Sequence, residues 1–372
     1  MKTTSTPIPP VATAVSPLIL LRTGFPAILL LTLLAVLPVR VLHAQTFSWA
    51  NRVSSSVTPL KVAADASGNS YVLGEFSGTV SLGDRTVTSS GGRDIFLVKY
   101  SPAGAVLWVR QMGGVSTDEA GGVAVAGDYV YITGGFRDRM YLPPSGLSTP
   151  SLVSRSGTDI FVARFAASTG TLVWANQGGG LLRDKGHGIA VDAAGNAYVT
   201  GEFYYDGTPA YFCNVPFCGG ASTTLKSVYT NNKQMFVAKY NASGGLQWVT
   251  DGYSWGSYYP IYGKAIAVDP AGNIFVAGDF TYETIFDNYV RDANGNISYG
   301  YPHLAWLKDG SETHETNFSS VFIARYNPDN SIAWARQVGG VNREEATGIA
   351  TIGSHVYLSG NSVSSSMIFK DG

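Results

Sequence analysis

The sequence has 372 residues, 14% of them charged, and its 25 basic side chains nearly balance 26 acidic ones. Nucleic-acid-binding domains carry a clear basic excess, so this composition excludes that class of function. Forty-four glycines and an aromatic content of 12% are typical instead of a β-protein with many turns and closely packed sheets.

The first 44 residues have the pattern of a secretory signal peptide. An apolar run over 26–39 follows Lys2 and Arg22, and the small residue Ala44 marks a cleavage point before Gln45. A membrane anchor is the alternative, but the run is short for a span and is interrupted by prolines. We therefore expect 1–44 to be removed and the mature chain to be secreted or held at the cell surface, with no membrane span.

From residue 45 onward the sequence repeats one unit of four short apolar runs, designated A to D in chain order. Run D contains segments such as Leu-Val-Trp-Ala-Asn-Gln. Its tryptophan recurs at Trp49, Trp108, Trp174, Trp248 and Trp334. Internal repetition of this kind indicates a fold built from stacked, equivalent units.

Runs A and B are joined by the motif Asp-x-x-Gly-Asn, which begins at Asp65, Asp192 and Asp269. The aspartate can bond its own backbone two residues on, and the glycine accepts the positive φ of a tight turn. Two further units carry a shortened form of the motif. Each unit is therefore predicted to begin with an A–B hairpin.

Runs C and D are separated by a short turn as well. The phenylalanine of C and the tryptophan of D lie twelve or thirteen residues apart, as in Phe96 and Trp108. This spacing leaves room only for two strands and a turn. Run C is apolar on both faces, which is typical of a sheet packed between neighbours. The unit is thus predicted to be a four-stranded antiparallel blade.

Such blades cannot bury both faces alone, so they stack around an axis as a β-propeller. A solenoid fits antiparallel four-stranded repeats poorly. The sequence predicts an all-β propeller domain over 45–372, with about four full blades and partial blades at the ends. Because the last unit stops before its run C, we expect the domain to be incomplete at the C-terminus.

These units resemble the SBBP β-propeller repeats of bacterial secreted and cell-surface proteins. The resemblance rests on Gly-Ile-Ala-Val-Asp-x-x-Gly-Asn-x-Tyr-Val-x-Gly-x-Phe, followed by Asp-Ile-Phe-Val-Ala-Arg-Phe and Leu-Val-Trp, and it covers nearly all of 46–372. It implies a propeller, often of seven blades, at an extracellular location. It brings no common catalytic residues.

The segments between runs B and C vary in length while the rest of the unit is constant, growing from 76–96 in one unit to 280–322 in another. These B–C insertions and the D–A crossovers leave a blade at the same face, so binding of a protein or a carbohydrate is predicted there. The candidate ligand-binding residues are Tyr204, Tyr205, Tyr253, Trp255, Tyr282, Tyr289 and Trp306. The alternative is that these aromatic rings pack onto the blade beneath them.

The two cysteines of the chain, Cys213 and Cys218, lie in one of these insertions. In an oxidising compartment they are predicted to form a local disulfide. Free thiols are an alternative, and a zinc site is the weaker one because two cysteines without nearby histidines fall short of four ligands.

Catalytic and metal motifs are weak. Gly-Tyr-Ser-Trp-Gly at 252–256 matches a serine-hydrolase pattern, but it lies in a D–A crossover rather than in a strand-to-helix elbow. The segment 292–296 resembles the start of a calcium loop without its glutamate, so an ordinary turn is favoured. Acidic residues follow glycine steps at Asp118, Glu119, Asp184, Glu344 and Glu345, and they are expected to be solvated loop charges; the alternative is that they ring one face and bind a cation or a sugar hydroxyl.

The sequence therefore predicts no catalytic residues, no metal and no cofactor, and it favours a non-enzymatic binding or adhesion scaffold. The alternative is a propeller enzyme that acts on polysaccharide. That function needs two carboxyl groups about 5 to 9 Å apart in a central pocket.

Overall fold

Each four-run unit of the sequence folds as a four-stranded antiparallel sheet. The computed structural model describes residues 56–143, 150–213, 222–226, 230–254, 259–281, 283–286, 290–291, 297–298, 305–308, 319–339, 342–364 and 368–371. The regular elements of these segments are β-strands, and none of the segments contains a helix long and apolar enough to cross a membrane. The predicted signal peptide, 1–44, lies outside the described residues.

Twenty-seven strands are described. In chain order they are β1 (Val57–Ala64), β2 (Ser70–Phe76), β3 (Thr79–Leu82), β4 (Arg85–Thr88), β5 (Asp94–Tyr100), β6 (Val106–Met112), β7 (Glu119–Ala126), β8 (Tyr129–Tyr141), β9 (Ser151–Ala166), β10 (Leu172–Gly179), β11 (Lys185–Val191), β12 (Ala197–Tyr205), β13 (Ala210–Cys213), β14 (Ser222–Leu225), β15 (Asn232–Tyr240), β16 (Leu246–Ser254), β17 (Ile261–Val268), β18 (Ile274–Phe280), β19 (Glu283–Phe286), β20 (Val290–Arg291), β21 (Ile297–Ser298), β22 (Ala305–Lys308), β23 (Ser320–Tyr326), β24 (Ile332–Gly339), β25 (Glu344–Ile352), β26 (His355–Ser362) and β27 (Ile368–Asp371).

Among the described strands, four sheets follow the predicted order A–B–C–D in space. They are β1-β2-β5-β6, β7-β8-β9-β10, β11-β12-β15-β16 and β17-β18-β23-β24, and β25 and β26 form a further A–B hairpin. The first strand of each unit lies beside the first strand of the next, from β1 through β7, β11 and β17 to β25. The A strands thus line a common axis, and the prediction of an all-β fold with four-stranded propeller blades is confirmed.

The A strands approach each other very closely. A Cβ atom on Gly121 of β7 would lie 2.0 Å from the carbonyl oxygen of Gly186 in β11. No side chain fits in that space, so glycine is required where these two backbones meet.

The hydrophobic core lies between successive blades. Ile95 and Leu97 of β5 share a buried cluster with Phe161 of the second blade, whereas Phe96 and Val98 belong to a separate cluster. Every residue of β5 is buried for this reason. The burial of run C on both faces, predicted from its composition, is thus observed.

The A–B turns have the geometry that their sequence motif predicts. Asp65 Oδ1 accepts the amides of Ser67 and Asn69 at 3.0 and 2.9 Å, and Gly68 has a φ of 78°. The Tyr71 hydroxyl donates to Asp65 Oδ2 at 3.0 Å. The third blade repeats the same set of bonds. Local chemistry therefore sets this turn in each copy of the motif.

Repeated tryptophans of strand D form hydrogen bonds between successive blades. The described tryptophans of strand D all lie opposite a lysine or arginine of strand C. Trp108 Nε1 donates to the carbonyl of Ala167 at 3.1 Å, and Trp174 Nε1 donates to that of Ala242 at 3.1 Å. Both acceptors lie in the C–D turn of the following blade, so the indole group connects repeats.

The B–C insertions extend the preceding blade. Strands β13 and β14 add to the outer edge of β10, strands β19 and β22 add to β16, and β27 pairs with β24. The sequence predicts these segments only as variable loops. Their first parts are instead hairpins or strands that cover the exposed edge of strand D.

Candidate functional site

The B–C insertions and the D–A crossovers emerge from one face of the blades. Strand B ends where strands A and C begin, as shown by the pairing of Phe76 with Val57 and with Asp94. We call this side of the domain the insertion face. Variable segments are confined to it, so it is the part of the scaffold where one repeat differs from another.

A network of charged side chains occupies the insertion face on and beside the A strands. Each acidic member has a cationic partner, and interactions between neighbouring pairs link the network from the first blade to β25. We call it the axial belt. Its members are Glu75, Arg93, Glu119, Arg183, Lys185, Glu202, Lys233, Lys264, Asp279, Arg343 and Glu345.

Arg183 joins two blades within the axial belt. Its guanidinium group lies 2.8 Å from Glu119 of the second blade and 3.9 Å from Glu202 of its own blade. Lys185 also reaches Glu119, at 2.8 Å. Although burial works against its charge, the bond from Lys185 and the neighbouring cations lower the pKa of Glu119, so this carboxylate is ionised at neutral pH.

Glu202 is the most enclosed carboxylate of the axial belt. Lys233 lies 3.1 Å and His187 Nε2 lies 3.6 Å from its oxygens. Burial alone would raise the pKa of Glu202, but these two partners lower it to about 2. Burial lowers the pKa of His187. Glu202 therefore serves as a fixed anion that positions the cations around it.

Tyr262 separates two lysines at the next blade boundary. Lys233 Nζ lies 5.3 Å and Lys264 Nζ lies 4.4 Å from the centre of its ring, both within the range of cation–π attraction. Lys264 also pairs with Asp279 at 3.6 Å. Burial and the charges of the nearby carboxylates raise the pKa of Tyr262 to about 12, so the phenol stays neutral.

In the pairs of the axial belt the cation is more exposed than its carboxylate, except that Lys185 and Glu119 are both 13% exposed. The Arg183 side chain is 52% exposed, while its partners Glu119 and Glu202 are 13% and 5% exposed. The Lys264 side chain is 31% exposed and that of Asp279 only 8%. The belt therefore presents mainly positive charge to solvent, because its carboxylates, except that of Glu345 at 38% exposure, lie beneath the cations.

Buried aspartates hold the D–A crossovers. Asp118 accepts the amides of Gly114 and Arg137 at 2.9 and 3.3 Å. Asp184 does the same with Gly180 and Tyr204, at 2.6 and 2.8 Å. Both side chains, like Glu344, are fully buried. The expectation of solvated loop charge was wrong for these three residues: the glycine steps fold back and donate to Asp118 and Asp184, and the hydroxyl groups of Ser362 and Ser364 donate to Glu344.

The crossovers present apolar side chains to solvent. Val115 is 74% exposed, and Leu181 and Leu182 are 42% and 40% exposed, in the loops clamped by the buried aspartates. Val115 also borders a shallow cavity of about 350 Å³ lined by Thr117 and Arg137. The axial belt is thus flanked by fixed apolar groups.

The family comparison agrees with this architecture. A model of the SBBP family, described as a beta-propeller repeat, matches residues 173–202 and 252–279. The chain carries SBBP beta-propeller repeats. Both SBBP segments run from strand D through the crossover and strand A to strand B, so they include Arg183, Glu202 and Lys264 of the axial belt.

Two curated relatives are similar to parts of the chain. A WD repeat-containing protein of Acanthamoeba polyphaga mimivirus, named as uncharacterized, is 23% identical over 64% of this chain. Regulatory protein FlaEY of Caulobacter vibrioides is 34% identical over 49% of this chain. The alignments cover 17% and 20% of the relatives, so this chain spans a fifth or less of the length of each.

The predicted binding residues are only partly placed on the insertion face. Tyr205 and Tyr253 are buried, with 9% and 1% exposure, so their rings belong to the core as the alternative prediction had it. Tyr204 is half-buried beside the Asp184 clamp. Trp306 lies in β22, opposite Ile285. The remaining predicted residues, Trp255, Tyr282 and Tyr289, lie outside the described residues.

The other sequence motifs are placed as follows. Cys213 ends β13 and is disulfide-bonded, while its predicted partner Cys218 lies outside the described residues. Ser254 of the serine-hydrolase pattern is fully buried at the end of β16, where it cannot act as an exposed nucleophile. The segment 292–296 is not described. Within the described residues, no group of three or more acidic, histidine or cysteine side chains is arranged to hold a metal ion.

The axial belt was missed by sequence reasoning, although one signal for it exists. The acidic residue that follows glycine near the end of run B recurs at Glu75, Glu202 and Asp279. Its partners lie elsewhere in the chain, and some of them, such as the amide of Ala346 that donates to Asp279, come from a different blade. The spacing within a single repeat therefore does not reveal them.

Proposed function

We propose that this chain is an exported, non-enzymatic binding scaffold that presents its insertion face to a protein partner. The observation that supports this proposal is the geometry of the crossovers. Apolar side chains stand in solvent on loops whose backbones are fixed by buried carboxyl groups. Export follows from the leader-like residues 1–44 and belongs to the same proposal.

The fixed backbone is what makes the crossovers suitable for binding. Asp184 bonds both the crossover, at Gly180, and the end of strand B, at Tyr204. Leu181 and Leu182 are therefore held in place before any partner arrives. A pre-organised loop loses little conformational entropy on binding, so this part of the cost of association is reduced.

The nature of the exposed groups favours a protein over a glycan. Val115, Leu181 and Leu182 are aliphatic, whereas sugar faces are usually met by aromatic rings. Two aromatic rings predicted to serve that purpose, those of Tyr205 and Tyr253, are buried. The relatives, one named for WD repeats and one as a regulatory protein, also support a repeat scaffold.

No observation on the described residues favours the polysaccharide-enzyme alternative. A glycosidase acid needs an accessible carboxyl group of raised pKa. The carboxyl groups with raised pKa in the crossover region, among them Asp118 and Asp184, are buried. In the axial belt, the pKa of Glu202 is lowered instead.

A matched pair of double variants tests the proposal. Leu181→Ser with Leu182→Ser changes the crossover, and Leu107→Ser with Val173→Ser changes leucine and valine side chains of nearly equal exposure, 46% and 45%, on D strands. Each form of the mature chain is immobilised, and proteins bound from a surface extract of the source organism are quantified by mass spectrometry. A parallel glycan array tests the carbohydrate alternative.

We expect a set of proteins that the wild type and the D-strand variant retain and that the crossover variant loses by about tenfold or more. Equal loss from both variants, or retention by both, would contradict a binding site at the crossovers. Signals on the glycan array without any protein that depends on the crossover would assign the face to carbohydrate.

A further inference from the structure

We infer that the axial belt is the contact site for an acidic segment of the protein partner. This inference rests on the proposed function and specifies its chemistry. The belt joins the repeats from the first blade to β25, and six cationic side chains face five carboxylates in it. Although the composition is near neutral, the outward surface of the belt is mainly positive, because four of its five carboxylates, all but Glu345, are at most 13% exposed.

The positions of its charged groups, rather than the net charge, determine the sign of the potential that the axial belt presents to solvent. A charge on the surface of a protein interacts with a ligand through distance and dielectric, so an exposed cation outweighs a carboxylate that lies beneath it. Arg93 repeats the arrangement seen for Arg183 and Lys264, with 55% exposure against 7% for Glu75. Three consecutive blade boundaries thus present a cation in the same way.

The recessed carboxylates also prepare the cations for binding. Arg183 is held between Glu119 and Glu202, and its guanidinium group is already oriented when a ligand approaches. Arginine has five donors in a fixed plane, so donors that are not engaged by these partners are available to a second carboxylate. Ordering a free arginine would otherwise reduce the affinity.

The neighbours of the belt favour an acidic peptide over an acidic polysaccharide. Val115, Leu181 and Leu182 flank it and suit the aliphatic side chains of a peptide. The ring of Tyr262, which a sugar would use for stacking, has Lys233 and Lys264 over it. We therefore expect acidic residues interspersed with apolar ones in the bound segment.

The test uses fluorescein-labelled poly-L-glutamate and the mature chain, with binding followed by fluorescence anisotropy at about 50 and 300 mM NaCl, since salt screens exposed charges. The belt variant is Arg183→Gln with Lys264→Gln. It is expected to fold, because Glu119 keeps Lys185 and Asp279 keeps the amide of Ala346 as partners. The matched control is Arg85→Gln, an exposed arginine of the β3–β4 hairpin that pairs with Asp84.

We expect poly-glutamate to bind the wild type and the Arg85→Gln control alike, to bind the belt variant at least about tenfold more weakly, and to bind less at high salt. The conservative variant Arg183→Lys with Lys264→Arg should retain binding, which separates a loss of charge from a loss of folding. Absence of binding to the wild type, or equal binding by the belt variant, would overturn the inference.

Preferential binding of hyaluronate oligosaccharides over poly-glutamate would also overturn it, by making the ligand a polysaccharide. Because poly-glutamate has no apolar side chains, its binding does not depend on Leu181 or Leu182. Failure at the belt is thus distinguishable from failure of the crossover proposal.

Discussion

The buried carboxyl groups beneath the crossovers make the stability of this protein fall as the pH rises. A Cβ atom placed on Gly179 would lie 2.7 Å from Asp159 Oδ1 and 2.8 Å from Asp184 Oδ2, so the two carboxyl groups converge on one point. Asp159 Oδ1 is buried without a hydrogen-bond partner. Burial raises the pKa of Asp159 to about 7 against the opposing charge of Arg155, and burial with the charges of Asp159 and Glu202 raises the pKa of Asp184 further.

The direction and size of the effect follow from these pKa values. A carboxyl group whose pKa is higher in the folded than in the unfolded state binds its proton more tightly when folded. The contribution of Asp159 to the free energy of unfolding therefore decreases as the pH rises from the unfolded value of 3.8 to the folded value of about 7. A shift of about three pKa units corresponds to roughly 4 kcal/mol for Asp159, lost by neutral pH.

Asp159→Asn should remove the share of this dependence that Asp159 contributes, while Asp118 and Asp184 keep theirs. The third blade has Gln234 at the equivalent position, where its Oε1 accepts the amide of Ser254 at 3.2 Å, so an amide fits the site. Urea denaturation at about pH 5 and pH 8 measures the difference in unfolding free energy. We expect both proteins to be less stable at the higher pH and the difference between the two pH values to be clearly smaller in the variant.

The control is Asp192→Asn. Hydrogen bonds from Asn196 and Tyr198 outweigh burial and lower the pKa of Asp192, so this residue is ionised in both states over the tested range. Its substitution should reduce stability by the same amount at both pH values and preserve the wild-type slope. An unchanged slope in Asp159→Asn, or a wild type that gains stability toward pH 8, would refute the reasoning.

Two further predictions concern the contacts between blades. Trp174→Phe keeps an aromatic ring but removes the hydrogen bond to the Ala242 carbonyl, so it should lower the free energy of unfolding by about 1 to 2 kcal/mol in urea denaturation. The control is Trp334→Phe, at an indole with no hydrogen-bond acceptor in the described residues, which should lower the free energy of unfolding by less. Gly121→Ala forces a methyl group against the next A strand and should lower the free energy of unfolding by about 3 kcal/mol or more. Gly180→Ala, where the nearest atoms lie 3.8 Å from the added Cβ, should lower it much less. Equal shifts of the thermal unfolding temperature in the two variants would contradict the close approach of the A strands.

Features that depend on local chemistry could be predicted from the sequence. The A–B turn at Asp65 follows from an aspartate that bonds nearby amides and a glycine at positive φ. Burial of β5 on both faces follows from its unbroken apolar composition. These features lie within a few residues of one another, so a single repeat contains the information for them.

Features that join separate repeats could not be predicted in the same way. The pairing of β13 with β10 depends on the free edge of a preceding blade. The ion pair between Arg183 and Glu119 joins residues 64 positions apart in the chain. Asp184 looked like a surface charge because nothing in the local sequence shows that the glycine step before it turns back and donates to it.

We propose that the crossovers of the insertion face contact a protein partner. The most direct test of this proposal places a photo-crosslinking amino acid at position 181 in one variant and at position 173 of β10 in another, two sites that are similarly exposed, at 42% and 45%. Irradiation of each mature chain with the surface extract is followed by identification of the crosslinked products. Our account predicts a discrete crosslinked protein from Leu181 and none from Val173. Crosslinks from Val173 alone, or the same products from both positions, would contradict it.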